Sequence, residues 1–192
     1  MIDRRSALAA GFGLLAMVVL SAYSFATLSD ADADLRGATA GFALVAVLDV
    51  VVAWGLYGVL AAADRGLAQL AAGLRVAYAA AFLAAQGDLL AGRSGVDAFE
   101  RGWDLALLVF GVHLLVAGWA AIRASYVPTW LGALLLLAGA GYAGDSLGTV
   151  AGYDLGLATF TFAGEVVLLG WLLWAGYRAP GRASRGVRNS PA

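Results

Sequence analysis

Five residues that can carry charge or move a proton interrupt long apolar stretches: Asp49, Arg75, His113, Asp145 and Glu165. A charged group in hydrocarbon costs from roughly 3 kcal/mol upward, so it persists where it is paired, hydrated or useful. Asp49 falls near the middle of one stretch and Arg75 near the middle of the next. If these stretches are adjacent antiparallel helices, a rise of about 1.5 Å per residue puts the two charges within about 6 Å of the same depth. An arginine side chain covers that offset, so the spacing predicts an Asp49–Arg75 ion pair. Two roles are open to it: a buried clamp that fixes helix register, or an element that handles a proton or an ion.

Other polar residues extend this pattern. Arg75, Tyr78, Phe82 and Gln86 follow at i, i+3, i+7 and i+11, which places them on one helix face. A polar and aromatic stripe should avoid lipid and line the bundle interior. His113, the single histidine, is either a proton acceptor or a neutral group bonded across helices. Asp104 stands nine residues earlier, about half a turn out of phase, so the two do not form a dyad. Asp145 lies one turn from Tyr142, and Glu165 lies one turn from Thr161. If Asp49, His113, Asp145 and Glu165 converge, they form an acidic cavity in the outer half of the membrane with Arg75 at its floor. Such a site suits a cation, an amine or a proton better than an anion. The expected ligand-binding or proton-handling set is therefore Asp49, Arg75, Tyr78, Gln86, His113, Tyr142, Asp145 and Glu165.

The elements that must hold these residues follow from composition. The chain has 192 residues, of which 62% are apolar and 13% charged. Soluble domains run at about 45–50% and about 25%. Six stretches have the roughly 20 mostly apolar residues that a spanning helix needs: 6–27, 38–62, 67–90, 103–122, 130–150 and 158–177. Short polar connections make successive helices antiparallel neighbours. The expectation is an all-α polytopic membrane protein, a compact six-helix transmembrane bundle over residues 1–177 with a disordered Arg-rich tail over 178–192.

Arginine placement sets the direction. Arg4, Arg5, Arg65, Arg123, Arg178, Arg182, Arg185 and Arg188 fall on one side, against Arg36, Arg93 and Arg101 on the other. This puts both termini in the cytoplasm and the chain in the cell membrane. Arg4-Arg5 before an apolar run also fits a signal peptide. The run continues to Phe25, and an uncleaved anchor is the preferred reading. Trp103, Tyr126, Trp130 and Tyr177 fall near span ends, as interfacial anchors do.

The counts exclude much chemistry. With no Cys there is no disulfide, iron–sulfur cluster, thiolate zinc site or Cys nucleophile. All 12 basic residues are Arg, so a phosphate loop and a Lys Schiff base are absent. One His cannot form a multi-His metal site. No cofactor, metal or catalytic residue is expected, and nucleic-acid binding has no support. Gly144-Asp145-Ser146-Leu147 spells an esterase signature, yet it lies in an apolar helix without a nearby His. Asp30, Asp32 and Asp34 alternate like a calcium loop, but Leu35 and Gly41 stand where Gly and Glu are needed. Scarce Lys, Asn and Ile suggest a GC-rich prokaryotic genome.

Several segments resemble a family of multi-pass membrane proteins, the domain of unknown function numbered 4386. They are Asp49–Tyr57, Arg75–Tyr78, Phe110–Leu115, Tyr126–Gly132 and Gly139–Leu147. The resemblance covers spans two to five and implies a six-span bundle. It implies no activity. Three functions remain open. The first is binding or transport of a small solute, ion or lipid-like molecule in a polar intramembrane cavity. The second is a structural or accessory subunit whose buried charges only fix packing. The third, least favoured, is an intramembrane enzyme using His113. The expected partners are the bilayer, a small ligand and, given the short chain, a second copy in a homodimer.

Overall fold

The structure is a computed structural model that describes residues 2–30, 34–153, 155–157 and 163–179. Its elements are α1 (Arg4–Ser29), α2 (Arg36–Leu60), α3 (Arg65–Ala85), a 3-10 helix (Gln86–Gly95), α4 (Val96–Arg123), α5 (Thr129–Val150) and α6 (Ala163–Arg178). No strand occurs among the described residues. Helix starts carry local signals. Asp3 accepts from the Ser6 backbone N–H at 3.1 Å, Asp64 accepts from that of Leu67 at 3.0 Å, and Pro128 precedes α5.

Four helical runs are long and apolar enough to cross a membrane, two fewer than the six expected spans. One reason is that the run Arg65–Arg123 holds two antiparallel helices, α3 and α4, joined through the 3-10 helix, whose backbone leaves helical geometry at Gly92. The other is length, since α6 comprises only 16 described residues. The expected start of the sixth span at Ala158, Thr161 beside it, Asp32 and the tail beyond Ala179 all lie outside the described residues.

Two boundaries also differ from expectation. The third helix ends at Ala85 rather than at Leu90, because Gly87, Gly92 and Gly95 follow, and Gly92 takes φ 75°, a conformation open to glycine. The fourth begins at Val96, seven residues before Trp103. Asp97, Glu100 and Arg101 end the apolar stretch there but do not end the helix, which Phe99 pins by full burial. Arg93 ties the 3-10 segment to the end of α1, donating to the Leu28 carbonyl at 2.6 Å and to the Asp30 carbonyl.

Sequential helices pack against each other, and α6 also packs on α1, so the bundle closes as a ring. Contacting residues show every neighbour to be antiparallel. Ser6 meets Gly58 and Ser24 meets Gly41 between α1 and α2, and Phe42 meets Phe82 between α2 and α3. Gly11 meets Leu173, and Gly176 meets Leu8, between α1 and α6. The start of α1 and the end of α6 therefore share one end of the bundle with Arg65 and Arg123. This is the basic end; Asp88, Asp97 and Glu100 mark the opposite, acidic end. Val19, Val47, Trp54, Leu70, Leu137 and Trp174 are at least half exposed on the outside, as lipid-facing residues are.

At the basic end, Tyr126 in the α4–α5 loop donates to the Val59 carbonyl at 2.7 Å. It is a strut between that loop and α2, not only an interfacial anchor. Partial burial pushes its phenol above the ordinary value of 10. The folded state therefore holds this proton more firmly than the unfolded chain, and stability falls as pH rises past about 10. Tyr126→Phe should lose about 1 kcal/mol at neutral pH and show a shallower alkaline decline. Unfolding in detergent across pH measures both.

Candidate functional site

Counting along each helix from the basic end, Asp49 on α2, Arg75 on α3 and His113 on α4 all lie ten or eleven residues in, on the order of 15 Å. Arg75 Nη2 stands 2.6 Å from Asp49 Oδ1. Asp49 and His113 are 0% exposed and Arg75 is 1% exposed. Arg75 Nη1 lies 3.4 Å from His113 Nε2, and His113 Nδ1 lies 2.8 Å from the Ala71 carbonyl. A carbonyl only accepts, so Nδ1 carries the hydrogen and Nε2 offers its lone pair to the guanidinium. His113 is thus a neutral acceptor for Arg75. Protonating it would put two cations in contact, and its lone pair is already engaged. It is not placed to act as an open general base.

A second polar pair sits slightly nearer the acidic end. Tyr142 on α5 donates to Glu165 Oε1 on α6 at 2.9 Å. Both Arg75 and Asp49 are within electrostatic reach of Glu165. Phe110 stands between the two pairs. Its ring lies 5.2 Å from the Arg75 guanidinium carbon and meets Tyr78 at 4.7 Å, Tyr142 at 5.4 Å and His113 at 5.6 Å. The ring face supplies attraction to the cation where no second anion touches it.

The Arg75–Gln86 stripe is buried throughout, with Tyr78 and Phe82 among the aromatic core. Trp103 Nε1 donates to Tyr78 at 3.3 Å, so this tryptophan is part of the interior cluster with Phe42, Phe82 and Phe99 and not a simple interfacial anchor. Gln86 lies about eleven residues beyond Arg75, too far along α3 to join the central site. Both its amide atoms are buried without a hydrogen-bond partner among the described residues.

Asp145 does not converge with the others. Its carboxylate accepts from the Leu157 backbone N–H at 2.9 Å, turned toward the segment that follows α5. Leu155 packs on Gly148, so that segment folds back along α5. Asp104, on the rim of α4, accepts at its carbonyl from Ser146 at 2.7 Å. That hydrogen bond makes Ser146 a strut between α4 and α5. It does not stand as an esterase nucleophile.

Among the described residues, Asp49, Arg75 and His113 are closely packed. Beside His113, toward the basic end, lies a cavity of about 20 Å³ bounded by Leu56, Val59, Leu114, Leu135 and Leu168. That is room for roughly one water, with His113 the polar group at its edge. No group of three metal-binding side chains occurs among the described residues.

Two features escaped sequence reading. Phe110 is one turn before His113, a spacing that could have flagged it, but an aromatic in an apolar helix carries no distinguishing mark. The Ala71 carbonyl has no sequence signal, because any backbone presents one.

Residues 84–176 match the domain of unknown function DUF4386. The match takes in α4, α5, nearly all of α6 and the 3-10 helix, and Asp49 and Arg75 lie before it. A protein of Archaeoglobus fulgidus described as an uncharacterized protein is 36% identical over 136 residues, covering 71% of this chain and 82% of that one. No solved structure matches the chain.

Proposed function

The chain belongs to the DUF4386 family, whose name assigns no activity, so its role has to be read from its own side chains; we propose that it binds or moves a small cation, amine or proton at the Asp49–Arg75 site. In this reading it crosses the cell membrane six times, with both termini in the cytoplasm. The positive-inside distribution of arginine supports that direction, and the shared end of α1 and α6 is compatible with it.

One observation carries the proposal. The buried pair is incompletely satisfied: Asp49 Oδ2 and Arg75 Nε have no hydrogen-bond partner among the described residues. Each buried unpaired polar atom costs about 1–3 kcal/mol. A clamp selected for stability alone would do better with full satisfaction or with apolar side chains of similar size. Unused hydrogen-bonding capacity at mid-span is what a ligand, water or proton site retains. The second reading, a purely structural subunit, is favoured by the tight packing around the pair and the small apolar cavity. His113 engaged at both nitrogens argues against the enzyme reading.

Thermal unfolding in detergent, screened against sodium, potassium and small amines, separates the two main readings. A ligand at about 100 times its Kd adds about 2.7 kcal/mol, or roughly 5–10 °C at 2–4 °C per kcal/mol. Such a rise in the wild type, absent in Asp49→Asn and reduced in His113→Ala, is the expected result. A flat response in the wild type to every solute and pH would leave only the structural reading.

A further inference from the structure

The central cluster has an odd number of charges. Asp49 and Arg75 neutralise each other at 2.6 Å. Glu165, if ionised, adds a second negative charge that Arg75 must share. His113 is neutral by its bonding to Ala71 and Arg75. The fully ionised cluster therefore has a net charge of −1 at mid-span, where an uncompensated ion is strongly disfavoured. One positive charge must come and go with Glu165.

The neighbours of Glu165 limit where that charge can come from. On α5, Tyr142 donates its hydroxyl hydrogen to Oε1 and so leaves Oε2 as the site for a proton. Asp145, one turn further along α5, is engaged with Leu157. On α1, the other helix packed against α6, no titratable side chain occurs between Arg5 and Tyr23. Arg75 and Asp49 face it from across the bundle, beyond Phe110. Glu165 is also partly exposed, whereas Asp49, Arg75 and His113 are shut away. It is the member of the cluster least enclosed by the bundle.

We infer that Glu165 is the proton-exchanging carboxyl of this site, and that its charge state sets how firmly Asp49 holds Arg75. This rests on the reading of the site as one for a small cation or proton. The step is a simple protonation: a hydronium proton from the aqueous phase adds to the Glu165 carboxylate at Oε2, while Tyr142 keeps its own. Protonated, Glu165 ceases to compete, and the Asp49–Arg75 pair is closed. Ionised, it draws the guanidinium past Phe110 toward itself and weakens that pair.

Infrared spectroscopy of the full chain in lipid nanodiscs tests the inference directly. The wild type should show the carbonyl stretch of a protonated carboxylic acid at neutral pH, shifted in heavy water and lost as pH is raised. Glu165→Gln should lack this band and Asp49→Asn should keep it. Tyr142→Phe should move the band to higher frequency without removing it, by deleting the hydrogen bond to Oε1. That shift keeps the test valid should Glu165→Gln fail to fold. A band that persists in Glu165→Gln but vanishes in Asp49→Asn overturns the inference and leaves the proposed function standing. Loss of the band on adding sodium at fixed pH overturns it in favour of a bound cation. A wild type with no such band at any pH also overturns it, and the thermal screen then decides the broader reading separately.

Discussion

Truncating Asp49 to alanine is expected to cost about 3–5 kcal/mol of folding free energy, because Arg75 is left buried without its counter-charge. The guanidinium cannot escape by losing its proton, nor reach bulk water, since it lies ten residues from either end of α3. His113 and the Phe110 ring offer a lone pair and a quadrupole, not a charge. A double variant, Asp49→Leu with Arg75→Met, removes both charges at similar volume. It should lie within about 1 kcal/mol of the wild type or above it, since apolar replacements of whole buried pairs are often neutral or stabilising. Denaturant unfolding in mixed micelles measures all three proteins. A double variant as unstable as the single one would mean that the pair is needed for packing, and would shift weight to the structural reading. Recovery in the double variant would mean that the fold tolerates an apolar centre, so the charges are kept for another reason.

That pair was legible from the sequence because helical rise and an antiparallel turn are enough to place two charges at one depth. The Arg75–Gln86 stripe was legible for the same reason, since periodicity fixes a face. Periodicity does not fix what a face meets. Nothing in the spacing told that Asp145 would turn to the Leu157 backbone while Glu165, on a different helix, would come within reach of Arg75. That outcome depends on α6 closing against both α1 and α5, and such ring order is set by small-residue packing spread over several helices. Hydropathy also misjudged boundaries wherever charge and helix coexist. Val96–Gly102 is helical because Phe99 is buried, although its charges end the apolar stretch. How much room converging polar groups leave is just as hard to read from spacing. Side-chain volume, not polarity, decides whether converging polar groups leave room, and Phe110 fills the space between them.

The close approach of α4 and α5 rests on glycine, and replacing Gly139 by valine should be as damaging as breaking the ion pair. A Cβ at Gly139 would lie 2.6 Å from the Gly111 carbonyl oxygen and 2.8 Å from the Leu115 backbone nitrogen. Both are helix backbone, which cannot rotate away as a side chain can. On the opposite helix, a Cβ at Gly111 would meet the Ala143 nitrogen and the Gly139 carbonyl at 2.7 Å, so relief by sliding is blocked from both sides. Backbone contact between small residues is a main source of helix association in lipid. Ordinary overpacking costs about 1–3 kcal/mol; a clash that must separate two helices should reach the top of that range or exceed it. Gly73 provides the control, because nothing lies within 4 Å of a Cβ built there, and Gly73→Val should change stability by less than about 0.5 kcal/mol. The Gly139 effect should also reach the site. Tyr142 lies three residues further along α5, so displacing the helix should lengthen its hydrogen bond to Glu165 and shift the same infrared band that Tyr142→Phe shifts. Gly139→Val with wild-type stability would mean that α4 and α5 do not meet through these glycines, and the ring order built on that contact would have to be redrawn.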